Sequence, residues 1–216
     1  MKKALILGSS KGIGKSIRDS LVGLKIEILT PSRKELDTSK LDSVKKYIKN
    51  LKNGIDYLIL NTGGPPAKSF FDITEKEWNF YYHQLFLSFV IMLQTIKIKK
   101  NGYIFLITSH TIKNPEDKLV LSNSYRVALS SIFKTVSHLY SKKNISCINI
   151  APGPFKTDRL KKLVQNFKQF EAGLPLSRAG DPKEIGNFVK MIIKNDIKYL
   201  NGVVITIDGG ISRNLF

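Results

Sequence analysis

The chain has 216 residues, with 42% hydrophobic and 24% charged residues, a balance that excludes a disordered or fibrous polymer and suits one domain able to bury about 70% of its unfolded surface. One cysteine, Cys147, excludes an internal disulfide, and His83, His110 and His138 are too widely spaced for a metal-ligand motif, so no metal is expected. The net charge of +18 comes from 35 basic residues, 29 of them lysines scattered along the chain, which reads as a solvated lysine surface and argues against a nucleic-acid stripe.

Four apolar residues, Ala4 to Leu7, separate the basic start from Gly8, too few for a signal-peptide core, so a cytoplasmic location is expected. Strands are predicted at Ala4–Leu7, Ile26–Leu29, Tyr57–Leu60, Tyr103–Ile107, Ser146–Ile150 and Val203–Ile207. Most are continuous apolar runs, the pattern of parallel strands buried on both faces. Helical periodicity lies between them, as at 41, 44, 48 and 51 in Leu41–Leu51. The alternation predicts an α/β fold, a single doubly wound parallel sheet of Rossmann type over residues 1–216.

The helices Trp78–Ile96 and Tyr125–Tyr140 are apolar on nearly all sides, which predicts a subunit interface and hence a homodimer or homotetramer. Leu85–Leu93, the most apolar stretch, is too short to cross a bilayer, and no membrane partner is expected.

Each strand is followed by small, polar or glycine residues: Gly8, Ser32-Arg33, Asn61-Thr62-Gly63-Gly64, Thr108-Ser109, Ala151-Pro152-Gly153 and Asp208-Gly209-Gly210. Ligands of open parallel sheets bind at that carboxyl edge. The turn Gly8-Ser9-Ser10-Lys11-Gly12-Ile13-Gly14 leaves a strand and opens a helix, where free backbone N–H groups and the helix dipole favour a pyrophosphate. Gly14-Lys15-Ser16 imitates the end of a P-loop, but five residues separate Gly8 from it where that motif needs four.

These segments together resemble the short-chain dehydrogenase/reductase family. Gly8-x3-Gly12-Ile13-Gly14, Asn61-Thr62-Gly63-Gly64, Ser109, Pro152-Gly153 with Thr157, and the run from Pro175 to Glu184 stand where that family has its motifs. The resemblance implies strand order 3-2-1-4-5-6-7, about seven strands, and a bound nicotinamide dinucleotide. The residues implied to hold it are Gly8, Ser10, Lys11, Gly12, Ile13, Gly14, Ser32, Arg33, Asp37, Asn61, Thr62, Gly63, Arg126, Pro152, Gly153, Phe155 and Thr157. The NAD-preferring acid past the second strand is replaced by Ser32, followed by Arg33, and with Lys11 this predicts NADP(H) over NAD(H). The interval from Arg33 to Asp37 is too short for the helix usual there.

The catalytic centre departs from the family. Thirteen residues after Ser109, where a tyrosine is usual, stands Ser122; four later, in place of lysine, stands Arg126; seven after Trp78, in place of asparagine, stands Leu85. A serine is much harder to ionise than a phenol, and arginine stays protonated. The expected centre is Ser109 and Ser122 on the substrate oxygen and Arg126 on the ribose, with Lys113 or a water assisting Ser122. Tyr125 and His110 are further candidates for the acid. Asn61-Thr62-Gly63-Gly64-Pro65-Pro66 with Ser122-Asn123-x2-Arg126 resembles a subgroup labelled 3-oxoacyl-[acyl-carrier-protein] reductase-like. The resemblance implies an oxidoreductase acting on a carbonyl or alcohol, including acyl-carrier or CoA thioesters, with Asp158–Leu174 closing over the substrate and Leu160, Leu163 and Phe167 lining it. The alternatives are a non-catalytic dinucleotide-binding sensor or scaffold, and a nucleic-acid-binding Rossmann domain.

Overall fold

Each apolar run of the sequence forms a strand, and all strands run parallel. A computed structural model describes residues 1–215. The strands are β1 (Lys2–Ile6), β2 (Ile26–Leu29), β3 (Ile55–Leu60), β4 (Ile98–Ile107), β5 (Ser146–Pro152) and β6 (Val203–Ile207), in the order β2-β1-β3-β4-β5-β6. The helices are α1 (Gly12–Leu21), α2 (Leu41–Asn50), α3 (Glu75–Tyr82), α4 (Ser88–Thr95), α5 (Val120–Ser141), α6 (Asp158–Leu163), α7 (Phe167–Ala172) and α8 (Pro182–Lys194).

Alternation along the strands builds two cores. Leu5, Leu58, Leu60, Ile104, Leu106 and Cys147 face Val44 of α2, Phe89, Met92 and Leu93 of α4, and Leu129 and Phe133 of α5. Ala4, Ile6, Tyr57, Ile59, Phe105 and Ile148 face Ile17 and Leu21 of α1 and Ile185, Val189 and Ile192 of α8. Burying one such side chain contributes about 1.5–3 kcal/mol, so two filled faces hold the strand ends in fixed register. Close approach of α8 to α1 depends on Gly186, where a Cβ would sit 2.6 Å from the Ser16 carbonyl oxygen.

The sheet has six strands, one fewer than the family pattern. Between β2 and α2 the chain makes only a tight turn, with the N–H groups of Glu35 and Leu36 both donating to the Ser32 carbonyl. The missing helix therefore takes its following strand with it, and β2 becomes an edge. A second difference lies in the Trp78–Ile96 segment. It is not one α-helix: a π-helical turn at His83–Leu87 separates α3 from α4, and Leu85, 1% exposed, sits within it. Such insertions recur beside functional sites. Phe80 of α3 is exposed, while Tyr82, Phe86 and Val90 are half-buried, the last two against the first core. Among the described residues no helix is long and apolar enough to cross a membrane.

Candidate functional site

At the carboxyl edge of the sheet two hollows meet at Asn61 and Thr62. One, of about 430 Å³, lies over the glycine turn and the end of β2; the other, of about 450 Å³, lies over the ends of β4 and β5. The turn is shaped by backbone contact. Gly8 and Gly12 have φ of +60° and +57°, and a Cβ on Gly8 would lie 2.7 Å from Asn61 Nδ2. A Cβ on Gly14 would strike the Gly8 carbonyl. Asn61 ties the turn to β3, donating from Nδ2 to the carbonyls of Leu7 and Gly8 at 3.3 and 3.2 Å. No side chain caps the N-terminus of α1, so its first N–H groups remain available to an anion. The glycine cradle, the uncapped helix and the two joined hollows fit a dinucleotide.

Gly8, Ser10, Ser32, Arg33, Asp37 and Gly63 line the first hollow; Ile13, Arg126, Pro152, Gly153, Phe155 and Thr157 line the second. Gly12 and Lys11 instead border a third depression, with Lys15 and Lys156. Arg33 therefore stands in the first hollow without Lys11, and its cationic neighbour there is Arg18, a residue with no motif to mark it in the sequence. Arg33 is 74% exposed at its side chain and its Nε is 3.3 Å from Asp37 Oδ2. Burial opposes ionisation of Asp37, but hydrogen bonds from Ser39 and the charge of Arg33 hold its carboxyl below the usual range. Glu35 turns back to accept the Ser32 N–H at 2.7 Å. Gln84, from the π-helical turn, donates to the Gly63 carbonyl at 2.8 Å and lines the same hollow.

The second hollow holds the altered catalytic set. Ser109 follows β4, and its Oγ accepts from the N–H and Oγ1 of Thr111 at 3.3 and 3.0 Å. Ser122 and Arg126 lie one turn apart on α5. Arg126 is 7% exposed; its Nε donates to Ser122 Oγ at 3.2 Å and its Nη1 to the Ile107 carbonyl at 2.8 Å. Burial, with a smaller effect from the Arg159 charge, pulls the Arg126 guanidinium down to about 10, which still leaves it a cation at neutral pH. Both serine oxygens thus accept from neighbours, leaving each O–H free to donate into the hollow.

Two sequence candidates for the acid do not line this hollow. Tyr125 turns away to donate its hydroxyl to the Trp78 carbonyl at 3.0 Å, packed edge-on against that indole. Lys113 lies beyond the short helical turn at His110–Ile112 and is absent from the lining. His110 does line it, with Nδ1 3.3 Å from the Pro152 carbonyl oxygen and Nε2 3.3 Å from Glu116 Oε1. Leu85 occupies the π-helical turn and offers no polar atom.

Segment 158–174 folds over the second hollow as α6 and α7. Leu160, Leu163, Val164 and Phe170 line it, whereas Phe167 packs inside the lid's own small core with Leu174 and Ala179. Arg159 was not marked by any motif. It reaches across from α6 to donate from Nη1 to the Gly64 carbonyl at 2.8 Å. Among the described residues no group of His, Cys, Asp and Glu could hold a metal ion.

The sequence model of the family described as Enoyl-(Acyl carrier protein) reductase matches residues 26–212. The uncharacterized oxidoreductase YvrD of Bacillus subtilis (strain 168) is 25% identical over 99% of this chain and 97% of its own. The 3-oxoacyl-[acyl-carrier-protein] reductase FabG of Buchnera aphidicola subsp. Baizongia pistaciae (strain Bp) is 27% identical over 94% of this chain and 83% of its own. Among solved structures, a short chain dehydrogenase from Burkholderia cenocepacia J2315, in complex with NADP, superimposes with a TM-score of 0.85 at 18% identity over 96% of each chain.

Proposed function

The chain belongs to the short-chain dehydrogenase/reductase family, and we propose that it is an NADP(H)-dependent oxidoreductase of carbonyls or alcohols with a two-serine centre. The observation that carries this reading is the Ser122–Arg126 hydrogen bond inside a hollow that also holds Ser109. When bound, the reduced nicotinamide supplies a hydride to a carbonyl carbon. The substrate oxygen then gains negative charge, and the O–H groups of Ser109 and Ser122 are the donors that meet it. Preorganised donors in a site shielded from water are the largest single source of such stabilisation. Arg126 keeps a positive charge beside Ser122 Oγ, so a proton passing from that hydroxyl to the substrate oxygen leaves beside a cation, and the serine regains its proton from solvent once product departs. In this reading Arg126 also grips the nicotinamide ribose. In this reading the whole chain, 1–216, is one dinucleotide-binding domain working in the cytoplasm, paired with a second copy through α3, α4 and α5.

Arg33 in the first hollow supports NADP(H) over NAD(H), as does the NADP held by the Burkholderia structure; Arg18 adds charge there, although its Nε and Nη2 donate to Asp19 Oδ1 at 2.8 and 2.7 Å. A 2′-phosphate suits arginine because the guanidinium fork donates two parallel hydrogen bonds. A second reading, a non-catalytic dinucleotide sensor or scaffold, draws on the absence of any tyrosine from the lining of the second hollow among the described residues. Following NADPH oxidation against a broad panel of aldehydes and ketones separates the two. Turnover that Ser109→Ala abolishes is the expected result. Tight NADPH binding with no turnover, converted to turnover by a Ser122→Tyr, Arg126→Lys double variant, would give the second reading instead.

A further inference from the structure

The hollow over β4 and β5 holds two guanidinium groups and no carboxylate that answers them. Arg126 enters from α5 and Arg159 from α6. A guanidinium carries five N–H donors. Arg126 uses Nε on Ser122 and Nη1 on the Ile107 carbonyl, and Arg159 uses Nη1 on the Gly64 carbonyl. Neither arginine takes part in any ion pair among the described residues. The one acidic lining residue, Glu116, is half exposed and sits 3.3 Å from His110 Nε2. Burial pulls the Arg159 guanidinium below its ordinary range, as it does Arg126. Arg126 is buried and Arg159 partly so; cations withdrawn from water without a counter-ion are costly, so such a pair is matched to an anion that arrives with the ligand.

We propose that Arg159, backed by the positive potential of Arg126, recognises a carboxylate carried on the substrate itself. The unused Nε and Nη2 edge of Arg159 matches the two oxygens of a planar carboxylate. Leu160, Leu163, Val164 and Phe170 complete the wall, so the substrate is an oxo or hydroxy acid whose acid group meets Arg159 and whose carbon skeleton lies on the apolar lid. Gly64 belongs to the same device, because a Cβ there would lie 2.8 Å from the Arg159 Cζ.

This substrate class rests on the oxidoreductase reading, but the anion site is tested without turnover. Hexanoate and hexanamide, alike in size and differing in charge, are titrated calorimetrically into the full chain, alone and saturated with NADPH, and NADPH affinity is measured separately. The expected result is hexanoate binding that exceeds hexanamide binding and falls about 10- to 100-fold in Arg159→Gln, the range of a charge-assisted hydrogen bond. Arg159→Lys recovers part of it, and Gly64→Ala, which keeps the charge but displaces it, loses part of it. NADPH affinity is unchanged in all three. Equal hexanoate affinity in wild type and Arg159→Gln overturns the proposal, as does no hexanoate binding at all. A parallel loss of NADPH affinity in Arg159→Gln also overturns it, since Arg159 would then serve a cofactor phosphate. Charge-selective binding without turnover of any carbonyl keeps the anion site and removes the oxidoreductase reading.

Discussion

Arg126 and Ser122 form a single unit on α5: the buried guanidinium donates to the serine oxygen at 3.2 Å and leaves its O–H pointing elsewhere. A tyrosine–lysine pair works by lowering a phenol's pKa. In the proposed centre this pair acts instead by occupying a lone pair and fixing a charge.

Replacing Ser122 by alanine therefore removes one of two donors to the developing alkoxide. A fall in kcat of about 10²–10³ is expected, the usual effect of losing one such donor, with NADPH affinity unaltered. Steady-state kinetics beside a cofactor titration checks it, and an unchanged kcat would remove Ser122 from the centre.

Cofactor choice is assigned to Arg33. Arg33→Asp places a carboxylate where a 2′-phosphate would bind and is expected to weaken NADPH about 10- to 100-fold while sparing NADH. Fluorescence titration of both nucleotides reads the ratio directly. A parallel loss for both nucleotides would move the 2′-phosphate contact away from Arg33.

The two glycines of the cofactor cradle differ sharply in what surrounds them. A Cβ on Gly14 meets Asn61 Nδ2 at 2.6 Å and the Gly8 backbone, whereas a Cβ on Gly63 meets nothing within 4 Å. Gly14→Ala should cost about 1–3 kcal/mol of stability and lose NADPH binding. Gly63→Ala should stay within about 0.5 kcal/mol of wild type. Thermal melts with and without NADPH distinguish these outcomes.

Stability should also carry an acid limb from Glu77. Its carboxyl receives Lys68 Nζ at 2.9 and 2.7 Å and the Thr74 N–H at 2.9 Å, and these hold it at about 2 against an ordinary 4.5. A carboxyl depressed in the folded state contributes stability that is full above its unfolded value and fades as pH falls through its folded value. The melting-temperature gap between wild type and Glu77→Gln should thus be constant near neutrality and close between pH 4.5 and about 2. A gap that persists at the acid end would contradict this assignment.

The strands were legible because parallel strands buried on both faces are written as unbroken apolar runs, such as Tyr57–Leu60. Most carboxyl-edge residues were legible for the same reason, as Gly8, Asn61 and Thr108 directly follow such runs, whereas Ser32 stands two residues beyond Thr30, the first polar residue after its strand. The π-helical turn at His83–Leu87 was not, because one extra residue per turn hardly disturbs a helix apolar all round. Arg159 is not legible in the sequence because its partner Gly64 lies 95 residues away and one arginine among many cations carries no local mark. Tyr125, three residues after Ser122, takes the packing role instead of the acid role, with its hydroxyl on the Trp78 carbonyl. Side-chain direction depends on the neighbouring helix, which spacing alone does not reveal.

The shortened connection after β2 also leaves a boundary that the molecule must police. Strand β2 ends the sheet, with its outer N–H and C=O groups facing no further strand. Bare edges invite another chain to pair with them, and inserted charge is a common deterrent. Here Glu27 stands between Ile26 and Ile28, drawn to Lys3 Nζ at 3.2 Å, with exposed Lys25 just before it. Those two charges sit at the rim formed by Ile26–Leu29, so a neutral apolar residue at Glu27 is expected to make that rim readier to pair with another copy.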